Sequence, residues 1–261
     1  MKTFNYHSAK DVKEASKLSS SNSAFLAGGM TTIPSMKLGL ASYKDIIDIK
    51  RIKKLSGIKV SGKTVTIGAT TKHSEVANSK DVKKAIPSLA ALAEGIGDPQ
   101  VRNRGTIGGS IANNDPAADY PSACIALDAI IHTNNRKIDA DKFFRGMFET
   151  SLKSSEIIEA IEFNIPQKSS YQKLPNPASR YAIVGVYVAK HKTGINVGVT
   201  GAKSCVYNDK DLAGALSSNF SSSAIDSVKV SESGMNSDIH ASAEYRASMV
   251  KAFAKKAVEA C

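Results

Sequence analysis

The chain has 261 residues, 42% of them hydrophobic, enough for one large domain or a medium domain with a smaller partner. Its net charge of +11, from 35 Lys and Arg against 24 Asp and Glu, suits an anionic ligand or an acidic partner. The lysines are dispersed, aromatics are only 6% and Trp is absent, which argues against a nucleic-acid-binding stripe.

"FNYHSAKDVKEASKLSS" opens extended and then predicts a helix capped by Ser8, with Asp11 in its first turn and Val12, Ala15 and Leu18 at helical spacing. "AFLAGGM" predicts a short strand that ends in Gly28-Gly29. "TTIPSMKLGL" predicts a short helix capped near Thr31 or Thr32, and "KDIIDIK" a third strand. The first fifty or so residues thus form a β-α-β-α-β unit. In "KTVTIGATT", Val65 and Ile67 alternate on one face before Gly68. "HSEVANSKDVKKAIPSLAALAEGIG" is expected to be helical in two pieces. After the Gly-rich run that follows, "AIIHT", "RKIDADKFF" and "EIIEAIEFNIP" predict strands or turns around a helix. "PQKSSYQKLPNPAS", 166–179, is rich in Pro, Ser and Lys and is expected to be a linker. "RYAIVGVYVAK" and "GINVGVTGA" predict paired strands, and "DLAGALSS" a short helix. The last long helix is expected to carry Tyr245, Met249, Phe253 and Val258 near one face.

Three cysteines, Cys124, Cys205 and Cys261, are too few and too widely spaced for a disulfide framework or a zinc or iron–sulfur site. The N-terminus lacks an apolar signal core and no window approaches a membrane span, so the expected location is cytoplasmic. The five histidines have no metal-ligand spacing and there is no Gly-x-Ser-x-Gly elbow. Such a chain is suited to holding a cofactor that carries the chemistry itself.

The chemical signal lies in two Gly-rich turns, Ala27-Gly28-Gly29-Met30-Thr31 and Thr106-Ile107-Gly108-Gly109-Ser110. Each leaves an apolar segment and precedes helix-compatible residues, the local geometry for holding phosphate on backbone N–H groups. The alternative is an ordinary tight turn at each place, since neither matches Gly-x-Gly-x-x-Gly or the Walker pattern. Bare backbone at Gly105, Gly108 and Gly109 means either that the chain turns tightly there or that a ligand presses against the main chain. Arg102 and Arg104 could balance an anion or face an acidic partner. Asp119, placed inside the following helix, could bind a ribose or ribityl hydroxyl.

"AGGMTTIPSMKLGL", "TIGAT", "IGDPQVRNRGTIGGSIANNDPAADYPSACIALDA", "FETSLKSSEIIEAIEF", "NPASRYAIVGVYVAK" and "HASAEYRASMVKAFAKKAV" occur in this order. Together they resemble the FAD-binding medium subunits of the molybdenum hydroxylases, nearest the carbon monoxide dehydrogenase type. The resemblance covers essentially the whole chain. It implies an α+β fold: a two-subdomain FAD-binding domain of the vanillyl-alcohol-oxidase (PCMH) type, 1–58 and 59–168, then a smaller α+β domain, 169–261. It implies FAD held by Ala27, Gly28, Gly29, Met30 and Thr31 and by Thr106, Ile107, Gly108, Gly109 and Ser110. Asp119 would lie on the ribityl or ribose side, Tyr181 against the isoalloxazine, with Gly68 and Ala69 as lesser contacts. No side chain is expected to be catalytic. The implied role is electron relay. The partners would be a large molybdenum-cofactor subunit and a small 2Fe-2S subunit, as a dimer of heterotrimers, with no nucleic acid and no membrane span. Met30-Thr31 stands where a His-Ser pair is common in the CO-oxidising branch. The rival readings are a stand-alone FAD-dependent oxidoreductase of the same fold and a basic nucleic-acid-binding protein.

Overall fold

The computed structural model describes residues 1–261. Short apolar runs separated by single helices give three parallel strands, β1 (Asn5–Ser8), β2 (Ser23–Leu26) and β3 (Asp45–Asp48), in the order β1-β3-β2. The helices α1 (Val12–Leu18) and α2 (Thr32–Lys37) make the crossovers that parallel pairing requires. Helix α1 starts later than the sequence suggests. Ser8 belongs to β1, paired with Asp48, and the cap is Asp11, whose carboxylate accepts the Glu14 N–H at 2.8 Å.

A second sheet is antiparallel, in the order β4-β5-β10-β6-β7. It comprises β4 (Ile58–Ser61), β5 (Thr64–Gly68), β6 (Ile130–Thr133), β7 (Lys137–Asp139) and β10 (Ile158–Asn164). Between β5 and β6 run α3 (His73–Asn78), α4 (Lys80–Ala85), α5 (Pro87–Glu94), α6 (Pro99–Arg102), α7 (Ile107–Asn113) and α8 (Tyr120–Ala126). The predicted two-piece helical region is three helices, α3 to α5. Ser79 breaks it once by capping α4 through the Val82 N–H, and Pro87 breaks it again as the first residue of α5. The helix α9 (Ala140–Phe143) leads into a small hairpin of β8 (Phe144–Gly146) and β9 (Glu149–Thr150).

The third sheet is β11 (Lys168–Pro175), β12 (Ala182–Lys190), β13 (Ile195–Thr200) and β14 (Tyr207–Asn208), antiparallel in that order. Against it pack α10 (Lys210–Ser218) and α11 (Ala243–Glu259). The expected linker is therefore mostly an edge strand, β11, paired with β12 from Lys168 to Pro175. Its polar side chains find partners inside the molecule: Ser169, Tyr171 and Lys173 share one strand face and each hydrogen-bonds another element. The buried side of α11 includes Phe253 and Val258 as expected, with Met249 packed beside them, and adds Arg246, Ala247, Val250, Ala254 and Ala257; of the four expected residues only Tyr245 is exposed.

The largest core joins the second sheet to α3, α5, α7 and α8, and takes in Tyr187, Ala189 and Val206 from the third. Helix α8 lies against β13 at Gly198, where any Cβ would overlap the Ser122 carbonyl. The Thr200 hydroxyl donates to the Pro116 and Ala118 carbonyls, and the Gly201 and Ala182 N–H groups donate to Pro116 and Ala117. The segment that ends at Asp119 is thereby stitched to the third sheet.

Candidate cofactor-binding site

The two Gly-rich turns meet. Gly28 lies against the backbone of Arg104 and Gly105: a Cβ there would come within 2.9 Å of Arg104 C and Gly105 Cα, and nearer still to the Arg104 carbonyl oxygen. Beside this junction is a cavity of about 420 Å³, within the range of small-molecule and cofactor sites. Of the candidate residues, Ala27, Gly28, Gly29, Met30, Thr31, Ala69, Thr106, Gly108, Gly109, Ser110, Asp119 and Tyr181 line it. Gly68 and Ile107 do not. Gly68 closes β5 against the Leu55 carbonyl, 2.5 Å from where its Cβ would be, and the Ile107 side chain is wholly buried in the core.

The two turns do different work. In the second, the Ile107 and Gly108 N–H groups donate to the Thr71 and Ala69 carbonyls at 3.1 and 2.8 Å. The Gly109 N–H donates to Thr106 Oγ1 at 3.2 Å and the Ser110 N–H to the Thr106 carbonyl. Two of its glycines are bare because protein fills the space: a Cβ on Gly105 would lie 2.5 Å from His73 Nε2, and one on Gly108 2.5 Å from the Ala69 Cβ. Gly109 alone would meet nothing but Thr106 Oγ1, at 2.9 Å. Neighbouring protein thus accounts for the missing side chain at Gly105 and Gly108, and Gly109 has the open surface, while all three line the cavity. In the first turn, by contrast, none of the five consecutive N–H groups from Gly28 to Thr32 donates to another atom of the chain. Gly29 has φ +76°, the left-handed conformation that helps curl such a run into a concave array of donors. The free backbone donors are therefore concentrated in the first turn, and Ser110 of the second lines the same cavity.

Buried polar atoms on the cavity-lining residues Thr70 and His73 also lack partners: Thr70 Oγ1 and His73 Nδ1. Burial, with the Arg102 charge nearby, pushes the His73 pKa down to about 4, so the ring is neutral at pH 7. Arg102 is tied to backbone carbonyls. Its guanidinium donates to the Ile96 and Gly97 carbonyls at 3.0 and 2.9 Å and braces the loop before α6.

Asp115, Asp119, Arg180 and Tyr181 also line the cavity. Asp119 is the N-cap residue of α8 rather than an interior position, and it is 4% exposed. Its Oδ1 accepts from the Tyr171 hydroxyl at 2.5 Å and pairs with Lys173 Nζ at 2.9 Å. Burial pushes the Asp119 carboxyl up, against the stabilising ammonium and hydroxyl. The Tyr171 hydroxyl needs the bare backbone of Gly185 on the paired strand. Burial also raises Asp115, which accepts the Ala117 N–H. Tyr181 keeps 43% of its surface exposed, and burial of its remainder with the Asp115 and Asp119 charges holds its hydroxyl above the usual range. Sequence reasoning missed Thr70, His73 and Lys173. "TTKH", one residue after a strand-ending glycine, carries a signal for the first two, and the polar alternation of "SSYQKL" one for the third.

The family model described as "FAD binding domain in molybdopterin dehydrogenase" matches residues 2–168. The chain belongs to this family. It is a medium, FAD-binding subunit of the molybdenum hydroxylase type. It is 39% identical over 206 residues to the carbon monoxide dehydrogenase medium chain of Hydrogenophaga pseudoflava, covering 74% of this chain and 71% of that one. It is 30% identical to the nicotine 6-hydroxylase medium subunit of Paenarthrobacter nicotinovorans, over 97% and 95% of the two chains. The solved carbon monoxide dehydrogenase from Hydrogenophaga pseudoflava superposes with a TM-score of 0.91 at 33% identity, covering 99% of this chain and 97% of that one. The residues present fit FAD: a run of free backbone donors, unpartnered buried polar atoms and an aromatic side chain, all on one lining. No helix is long and apolar enough to cross a membrane.

Proposed function

We propose that this chain is the electron-transfer subunit of a molybdenum hydroxylase complex. It accepts electrons from the 2Fe-2S clusters of a small partner subunit and passes them to an external acceptor. The large partner, which carries the molybdenum cofactor, selects the substrate, and the assembly is a dimer of heterotrimers. The observation that carries this reading is the unpaired run of N–H groups from Gly28 to Thr32 on a cavity that Ser110 and Tyr181 also line. When bound, FAD supplies the exchange between two-electron and one-electron steps that no side chain here offers.

The chain's own residues bind, orient and shield. Gly28 to Thr32 and Ser110 take the pyrophosphate; Gly109, with its surface bare, lets it approach α7. Thr70 and His73 offer further polar contacts along the same wall. Asp119, already ion-paired, accepts a ribityl or ribose hydroxyl without bringing an uncompensated charge. Tyr181 would lie against the redox-active ring. In this reading the first two sheets are the PCMH-type subdomains 1–58 and 59–168, and 169–261 is the C-terminal domain. The test is co-expression with the neighbouring large and small subunits, followed by anaerobic mixing of the purified complex with reductant that enters through the large subunit. Bleaching of the flavin band after the iron–sulfur signal supports the relay. A complex whose clusters are reduced while the flavin stays oxidised refutes it.

A further inference from the structure

We propose that Lys173 is a positioning residue of the cavity: its ammonium draws the Asp119 carboxylate, the Gly95 carbonyl and the Arg180 carbonyl to one point, and so fixes the loop that presents Tyr181. The value of that position for catalysis rests on the reading of the cavity as an FAD site. The geometry itself does not.

The three acceptors lie at 2.9, 3.0 and 2.9 Å from Nζ and match the three donors of an ammonium group. The side chain is only 10% exposed. Gly95 follows α5, Asp119 caps α8 and Arg180 precedes Tyr181, so one cation ties three walls of the cavity together. Arg180 needs that tie. Its φ is +62°, a left-handed conformation that costs a non-glycine residue free energy and persists where the surroundings impose it. The loop around it is a closed turn. Asn176 N–H donates to the Tyr181 carbonyl, Arg180 N–H to the Asn176 carbonyl, and Asn176 Oδ1 accepts from Ala178 and Ser179. Besides these local bonds, the loop is attached on this side by Lys173 and by the Arg180 guanidinium on the Gly97 carbonyl at 3.1 Å.

A buried ion pair kept for stability alone is a poor bargain, since desolvation takes back most of what attraction gives. Placement is the better account of Lys173. Tyr171 and Lys173 stand two apart on one face of β11 and hold the same Asp119 oxygen, which fixes where the carboxylate can point.

The test compares the full chain with Lys173→Met and Lys173→Arg by amide hydrogen exchange without added FAD. Lys173→Met should speed exchange of the amides from Ala178 to Tyr181 by at least about tenfold, the scale of a lost charge-assisted hydrogen bond. Amides at the centre of β12 and β13 should keep their rates. Lys173→Arg, which restores charge and donors, should return the loop most of the way. Unchanged loop exchange in Lys173→Met overturns the proposal, and so does a uniform rise across the chain, which would mean general destabilisation. If Lys173→Met does not fold, Lys173→Gln decides: faster loop exchange alone supports the proposal, and wild-type rates overturn it. A second reading uses FAD. Its bound fluorescence should rise in Lys173→Met as Tyr181 loosens over the ring and fall again in Lys173→Arg; equal fluorescence in all three chains overturns the proposal. Failure of the wild-type chain to bind FAD would overturn the functional reading and leave the exchange result standing.

Discussion

Replacing Gly28 with Ala tests the junction of the two turns. The added Cβ would lie 2.9 Å from Arg104 C and Gly105 Cα and overlap the Arg104 carbonyl oxygen, whereas ordinary contact begins at 3.4 Å. Every atom it meets is backbone, so no side chain can rotate away. The turns must part by on the order of 1 Å, an overpacking that costs about 1–3 kcal/mol of stability. The larger effect falls on the cofactor, because the donors from Gly28 to Thr32 would shift against the rest of the cavity lining. Loss of two hydrogen bonds to a charged phosphate, about 1.5 kcal/mol each, weakens FAD binding on the order of 10²-fold. Gly214→Ala is the control. It lies inside α10 with nothing within 4 Å of the new methyl, so it should gain up to about 1 kcal/mol and leave binding unchanged. Urea denaturation of the FAD-free chain and titration with FAD, followed by quenching of its fluorescence, give both numbers. A Gly28→Ala chain with wild-type stability and wild-type affinity would refute the packing argument.

Gly109→Val should keep most of the fold but lose flavin, since its Cβ meets only Thr106 Oγ1, and disturbing that cap costs about 1 kcal/mol; full flavin content in the purified variant would remove Gly109 from the site. The His73 ring, with its folded pKa depressed from 6.5 to about 4, makes the unfolded state the better proton binder in that window. Stability is therefore present above pH 6.5 and lost towards pH 4, by about 3 kcal/mol at about 1.4 kcal/mol per pH unit. Below the ordinary glutamate range Glu156 acts in the same direction, since Arg136 and burial-side hydrogen bonds hold its pKa near 2. His73→Gln should flatten the profile between pH 6.5 and 5, and an unchanged slope there would show that another group titrates. Asp119→Asn leaves the Lys173 ammonium buried without its carboxylate and should cost about 3 kcal/mol, measured by urea denaturation; a neutral effect would mean that the pair is solvated.

Much of the site was legible because its signals are local. The two Gly pairs, Asp119 and Tyr181 stand in short stretches whose composition has a backbone meaning, and twelve of the fourteen chosen positions line one cavity. What each turn does was not legible. A glycine can be bare for a ligand or for a neighbouring strand, and Gly105 and Gly108 are bare for His73 and Ala69, contacts that only the tertiary structure defines. Strand β11 was hidden by its composition. Pro, Ser and Lys suggest a linker until one sees that Ser169, Tyr171 and Lys173 all point at partners in α5 and α8. Helix α11 was legible in its length and in the burial of Phe253 and Val258, but the small alanines at 254 and 257 share its buried side, because the helix packs closely on β11 and β12, and Tyr245 is left exposed.

The central claim is that this cavity holds FAD through the first Gly-rich turn. The most direct measurement is the visible spectrum of the purified full chain after reconstitution with FAD, with mass identification of the released cofactor. The predicted result is flavin bands with close to one FAD per chain, strongly reduced in Gly28→Ala and retained in Gly214→Ala. No bound flavin in the wild-type chain, alone or in its purified complex, would contradict the account.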